Sequence, residues 1–373
     1  MADKVDAAFR KRFGEAPRLF QAPGRINIIG EHTDYSEGIV MPAAINRSCI
    51  AAIGPNADGA THVLSLNRNE EIERSASFNH TGSWSDYVAG CRAALAAAGI
   101  ETPGCNLVIG SDVPEGAGVS SSAALEVSVV TAMLALTGRT MKHVDVARIA
   151  QAAESVYVGM PCGIMDQFIS VYGREGHALM LDCRSLTFEA VPAPASAGFL
   201  VIDSQVRHKL TDGGYAARRA DCEAAASLLG VRVLRDVRSD QLSSGALPER
   251  LLRRARHVVS ENARVQAAQI ALAQGDVIAL GALMNDSHAS LRDDFDVTCA
   301  ETDTLAAIAC GTPGVLGARQ MGGGFGGAVL ALVAEGAQVT GAESIVSGYR
   351  AATGLDAEWF HCRLADGARE ILP

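Results

Sequence analysis

The chain has 373 residues, 48% hydrophobic and 20% charged, a globular composition that excludes a disordered polymer. A formal net charge of -10 excludes the basic footprint of nucleic-acid and membrane-surface binders, so an anionic ligand has to be met locally, by backbone amides, a metal or a few arginines. Nine cysteines without a CxxC pair or zinc spacing, together with a charged first segment that has no apolar centre, predict free thiols in a soluble, cytoplasmic chain with no nucleic-acid or membrane partner.

Val5, Ala8, Phe9 and Phe13 recur at helical spacing and predict a first amphipathic helix. Short β-type runs follow, RLFQAP, INIIG, GIVMPAAI and SCIAAIG, punctuated by Gly, Pro and Asn. Residues 86–99 predict a helix that ends at a glycine, NLVIGSDV a strand, and AALEVSVVTAMLALTG an apolar helix. VDVARIAQAAESVYVG predicts another helix, whereas ISVYG and HALMLDC read as strands. The proline-rich stretch 191–198 is the best boundary, giving domains 1–192 and 193–373. Beyond it FLVID reads as a strand, long helices span about 215–310, and VLGARQM and AVLALVAE are strands flanking a glycine cluster. The order predicts two α+β domains with no internal repeat.

Three segments carry chemistry. In SDVPEGAGVSSSAALEV a strand leads through a Gly-rich loop into a helix that starts on three serines. Glycines admit a ligand to the backbone, and a helix N-terminus presents unpaired N–H groups and partial positive charge, so phosphate is the natural occupant. A helix capped by serine would explain the serines alone, but not their company with two glycines. The segment is not a P-loop, since GxxxxGK[ST] is absent. GGGFGG at 322–327 fits GxGxxG by letter, but a β-type run follows it where a Rossmann site needs a helix, so it reads as a tight turn brought near a ligand or another loop.

The second segment, GEHTDY at 30–35, sets two acids and a histidine between apolar flanks, which a solvated turn does not explain. The third, GMPCGIMDQFIS, sets Asp166 among glycine and apolar residues ahead of the expected strand; a lone Asp is commonly a turn residue. Glu154 lies upstream on a helix, either a metal ligand or a solvated acid. Arg25, in PGRIN, has apolar neighbours, and a buried guanidinium needs an anionic partner.

Together PEGAGVSSSAA, GRINIIGEHTDYSEGIVMP, GMPCGIMDQF, VIDSQVRHKL, SHASLRDDF and GARQMGGGFGG resemble the GHMP kinase family, and the GEHTDY segment is similar to the signature of its galactokinase branch. The resemblance implies an N-terminal domain like ribosomal protein S5 domain 2, a ferredoxin-like C-terminal domain and an active site in the cleft between them. It implies transfer of the γ-phosphoryl of ATP to the 1-hydroxyl of galactose, with Asp166 as base and Arg25 as its charge partner. Glu31, His32, Thr33, Asp34, Gly163 and Tyr215 would hold the sugar. Gly116, Ala117, Gly118, Val119, Ser120, Ser121 and Ser122 would wrap the ATP phosphates, and Ser122 and Glu154 would complete a Mg²⁺ site. A monomer or weak dimer is expected. An N-acetylgalactosamine-preferring relative and a non-catalytic sugar- and ATP-binding regulator are the alternatives. Val119 replaces a usual Leu, Ala328 a usual Cys, and Met321 stands where a threonine hydroxyl is expected, which removes a polar contact from the last loop.

Overall fold

The computed structural model describes residues 1–75, 77–207, 213–243 and 245–372. In chain order the elements are α1 (Ala2–Phe13), β1 (Arg18–Asn27), β2 (Ile39–Val40), β3 (Pro42–Pro55), β4 (Thr61–Ser65), β5 (Glu70–Arg74), α2 (Ser85–Ala97), β6 (Cys105–Ser111) and α3 (Ser121–Leu136). Next come α4 (His143–Ala152), α5 (Met165–Tyr172), β7 (His177–Asp182), β8 (Thr187–Pro192) and β9 (Ala197–Arg207). The remainder is α6 (Gly214–Leu228), α7 (Glu249–Gln274), α8 (Val277–Ser290), α9 (Ala300–Gly311), β10 (Val315–Met321), β11 (Gly326–Ala334), α10 (Gln338–Thr353), β12 (Glu358–Cys362) and β13 (Arg369–Ile371).

The first sheet has the order β13-β1-β3-β6-β4-β5. Alternation along its strands sorts the side chains. Leu19, Ile50, Ala52 and Val108 meet Val5 and Phe9 of α1 on one face. Phe20, Ala51, Ile53, Leu107 and Ile109 point into the main core, where α3 and α5 lie with α2 and α4 packed behind them. In the second sheet, β10-β11-β9-β12, the same period sends Leu200 and Ile202 toward α9 and α10, and Phe199 and Val201 toward α8 and the main core. A small sheet, β2-β7-β8, packs against α7. The last strand returns to the first sheet, pairing Ile371 with Leu19, and Arg18 holds Glu370 at 2.8 Å.

Two sequence expectations change. RLFQAP and the start of INIIG form one strand, not two, because a register shift between Pro23 and Arg25 absorbs the Pro-Gly pair. ISVYG is not a strand: it lies in α5, where Met165, Phe168, Ile169 and Tyr172 give a helical period that outweighs the β-branched content. Asp166 therefore sits in the first turn of a helix rather than ahead of a strand. All nine cysteines are free thiols, and among the described residues no helix is long and apolar enough to cross a membrane. The end of the VIDSQVRHKL similarity, at 208–210, lies outside the described residues.

Candidate active site

A cavity of about 360 Å³ opens between the first sheet's loops and the second half of the chain. Arg25, Glu31, His32, Asp34, Glu154, Gly163 and Asp166 line it from one side, and Tyr215, Gly322 and Gly323 from the other.

The register shift in β1 delivers Arg25 to this cavity. Its guanidinium is buried, and its Nε and Nη2 donate to the two oxygens of Asp166 at 2.9 and 3.0 Å. Its Nη1 donates to the carbonyl of Gly118. The Ser120 hydroxyl, expected on a phosphate, donates instead to Asp166 Oδ2 at 2.5 Å. Asp166 is thus fixed by three donors, one of them from the serine-rich loop.

That loop is shaped by backbone more than by side chains. Gly116, Gly118 and Ser120 all have positive φ, and Ser120 as N-cap makes no side-chain cap, which leaves the first N–H groups of α3 to a ligand. The loop touches two other glycines. A Cβ on Gly24 would lie 2.7 Å from the Val119 carbonyl, and one on Gly118 would lie 2.8 Å from the Met321 carbonyl. The glycine cluster at 322–327 is accordingly a turn packed on the serine-rich loop. Ala117 and Val119 are buried anchors, whereas Gly116, Ser121 and Ser122 line a second cavity of about 230 Å³ with Trp84, Tyr87 and Asn67.

GEHTDY folds as a turn with Gly30 and His32 at positive φ. Glu31 is buried; its Oε2 accepts from Arg319 Nη2 at 2.8 Å and from Asn27 Nδ2 at 3.2 Å. Burial pushes its pKa up, against the pull of Arg319 and Arg25. Burial, with His257 adding, pushes His32 down to about 3. It is therefore neutral at ordinary pH; Nδ1 meets Tyr35 Oη at 3.1 Å and Nε2 is buried without a partner. Asp34 is pushed up to about 7 by burial and then by the charge of Asp166. Gly163 has a reason to be glycine: a Cβ there would lie 1.8 Å from Asp34 Oδ2. The Tyr215 ring packs against that of His32, centroids 5.4 Å apart and planes tilted by 42°.

Thr33 is the exception among the residues expected on the sugar. It does not line the cavity; its hydroxyl, at 3.0 Å from the carbonyls of both Gly30 and Ile39, closes the turn. Met321 is likewise buried away from any ligand, its Sδ accepting from the Asn27 N–H at 3.3 Å.

Glu154 lies in a π-helical turn, Ala153–Val158, that follows α4 and swings it toward Ser122. Burial pushes its carboxyl up to about 7, opposed by the Ser122 hydroxyl and reinforced by Asp166. Negative charge so poorly relieved, beside a hydroxyl and a phosphate-type loop, suits a divalent cation. Among the described residues no group of three or more His, Cys, Asp or Glu is placed to hold a metal ion.

Several residues of the site escaped the sequence reading. Arg319, fully buried, was signalled only by a charge inside the apolar run VLGARQM. Glu261 and His257 fall within the long helices expected over about 215–310, where nothing set them apart. Gln167, whose Nε2 bridges Glu126 at 3.0 Å and Glu154 at 2.7 Å, had no signal at all. Arg207 lies over Gly116 and is held by Asp203 at 2.5 Å.

Known proteins match the chain along most of its length. The galactokinase galactose-binding signature matches residues 7–55, the GHMP kinases N terminal domain residues 86–174, and the GHMP kinases C terminal domain residues 268–349. A galactokinase of Roseiflexus sp. strain RS-1 is 42% identical over 98% of this chain and 96% of its own. One of Chloroflexus aurantiacus is 43% identical, over 97% and 95%. The crystal structure of Lactococcus lactis galactokinase complexed with galactose superposes with a TM-score of 0.96 at 32% identity, over 99% of this chain and all of that one. A mevalonate kinase structure, at 17% identity and a TM-score of 0.66, shares the fold.

Proposed function

The chain belongs to the galactokinase family of GHMP kinases, and from that premise we infer how its own residues carry out transfer of the γ-phosphoryl of ATP to the 1-hydroxyl of galactose. Galactose occupies the cavity of about 360 Å³, a size suited to a small ligand held by a few convergent polar groups. Glu31 and Asp34 accept sugar hydroxyls, and the unpartnered Nε2 of neutral His32 is free to make one more hydrogen bond. Such a pocket discriminates among isomers, because a misplaced hydroxyl leaves buried acceptors unpaired.

The observation that carries the reading is Asp166, which lines the sugar cavity while bonded to Ser120 of the serine-rich loop. It stands where the two substrates have to meet. Asp166 aligns the 1-hydroxyl and takes its proton as the new O–P bond forms, while the bond to the bridging oxygen breaks and ADP leaves. Arg25 holds both oxygens of that carboxylate and ties it to the loop through the Gly118 carbonyl. The loop amides of residues 116–122 bind the phosphates, and the nucleoside lies in the adjoining cavity against Trp84 and Tyr87. Ser122 and Glu154 would hold Mg²⁺, which supplies charge neutralisation of the phosphates when bound. Because phosphoryl transfer depends on alignment and electrostatics, this division of labour suffices without a covalent intermediate. Neither the N-acetylgalactosamine nor the regulator alternative draws support from the named relatives.

The test is sugar-dependent ADP release from Mg-ATP with galactose, N-acetylgalactosamine, glucose, homoserine and mevalonate offered separately. Turnover strongly favouring galactose is expected. Binding of galactose by calorimetry without turnover on any of the five would overturn the assignment.

A further inference from the structure

The GEHTDY turn belongs to the first half of the chain, yet its peptide groups are held by the second. Glu261, completely buried on α7, accepts from the Gly30 N–H at 2.9 Å and the Glu31 N–H at 3.3 Å through one oxygen. The same oxygen accepts the Ser287 hydroxyl at 2.6 Å, and the other accepts Arg264 Nε at 2.6 Å. One turn earlier on the same helix, His257 Nε2 lies 3.0 Å from the Glu31 carbonyl. A carbonyl can only accept, so Nε2 carries the proton and Nδ1 accepts from Ser290 at 2.9 Å. The peptide units on both sides of Glu31 are therefore tied to α7. Packing reinforces the grip: a Cβ on Gly30 would lie 2.9 Å from Val265 Cγ2, and Asn262 Oδ1 accepts the Ile39 N–H at 2.8 Å.

This clamp acts where the backbone is least favourable. His32 has φ +60, a left-handed region that a residue with a Cβ avoids unless neighbours compel it. A charged carboxylate gathering two successive N–H groups is a strong way to compel such a turn. Glu261 and His257 are fully buried and do not line the cavity, so they do not meet the sugar directly. What they control is the direction in which Glu31 and His32 leave the backbone. We propose that Glu261 and His257 are positioning residues for galactose, fixing the Gly30–Glu31–His32 turn from α7 so that the sugar-facing groups are aimed before the sugar arrives. This rests on the function proposed above.

The experiment compares wild type with Glu261→Gln and His257→Phe for galactose KM, ATP KM and kcat, and for calorimetric galactose binding without nucleotide. Glutamine has one acceptor oxygen and cannot serve both the loop amides and Arg264; phenylalanine keeps the ring and loses the donor. Each variant is expected to weaken galactose binding and raise galactose KM by about tenfold, with ATP KM within about twofold and kcat within about threefold. Galactose affinity equal to wild type in either folded variant overturns the proposal. So does a parallel rise of both KM values, which would mean general loosening of the fold. If Glu261→Gln does not accumulate as folded protein, His257→Phe probes the same turn from its other peptide group and decides the matter alone. Wild-type protein that fails to phosphorylate galactose would overturn the parent reading; wild-type turnover with unchanged variants sinks only this one.

Discussion

The serine-rich loop and the GEHTDY turn face the same site but are built by different means. The first takes its shape from within, from two glycines and Ser120 at positive φ followed directly by the start of α3. Its tightest backbone contacts are with glycines, Gly24 and Gly322, whose contribution is the absence of a side chain, and Arg25, Asp166 and Arg207 reach it with side chains. The second takes its shape from far away: Arg319, Glu261 and His257 lie more than two hundred residues along the chain. A loop for phosphate needs N–H groups and can be written locally. A turn for a sugar has to hold buried carboxylates at set angles, and buried charge requires partners that only tertiary packing brings.

The largest effect is expected where the two regions meet. Asp166→Asn should lower kcat by about 10²–10⁴-fold while calorimetric galactose binding survives. A near-normal rate would remove Asp166 from the chemistry. Next, a pair of glycine variants separates the two loops. Gly118→Ala places a Cβ 2.8 Å from the Met321 carbonyl at φ +70, and should raise ATP KM by about tenfold with little change for galactose. Gly163→Ala drives a Cβ to 1.8 Å from Asp34 and should do the reverse. If both variants raise both KM values equally, the two loops do not act separately.

A smaller effect appears with pH. Asp34 has a folded pKa of about 7 against 3.8 when free, so between these values the native chain holds a proton that the unfolded chain has released. Stability from this group is complete below pH 4 and is lost as pH rises through 7. Ligand-free protein should therefore lose several degrees of Tm between pH 5 and 8; Asp34→Asn should reduce that slope, and Glu154, also raised to about 7, carries the remainder. Glu261, held down at about 2 because Arg264 and His257 outweigh its burial, works in the opposite sense, losing its contribution only as pH falls below 4.5. A slope unchanged by Asp34→Asn would remove Asp34 from the titration. The smallest effect is Thr33→Val, which removes the turn-closing hydroxyl. It should lower stability by about 1 kcal/mol and leave galactose KM within about twofold. A large KM change would return Thr33 to the sugar.

Much of the site was legible before folding. Gly116 to Ser122, Asp166, Arg25, Glu31, His32, Asp34 and Gly163 stand in short segments whose residue types are hard to explain as surface or core. The error over ISVYG had a local cause, since Ile169 and Val171 alternate as in a strand while Met165, Phe168, Ile169 and Tyr172 keep helical spacing, and burial against β1 decides between the two patterns. Thr33 was misplaced for a related reason: its neighbours are ligand-facing, and spacing alone does not tell which side of a turn a hydroxyl takes.

By itself the sequence determined the α+β class, the family and the two polar loops, because periodicity, glycine and helix starts are properties of adjacent residues. Only the tertiary structure decided that Ser120 turns to Asp166, that Gly163 makes room for Asp34, and that α7 and β10 carry the partners of Glu31. Those outcomes depend on which charges and backbone groups are brought within hydrogen-bonding distance in a medium without water. Chain distance says nothing about that.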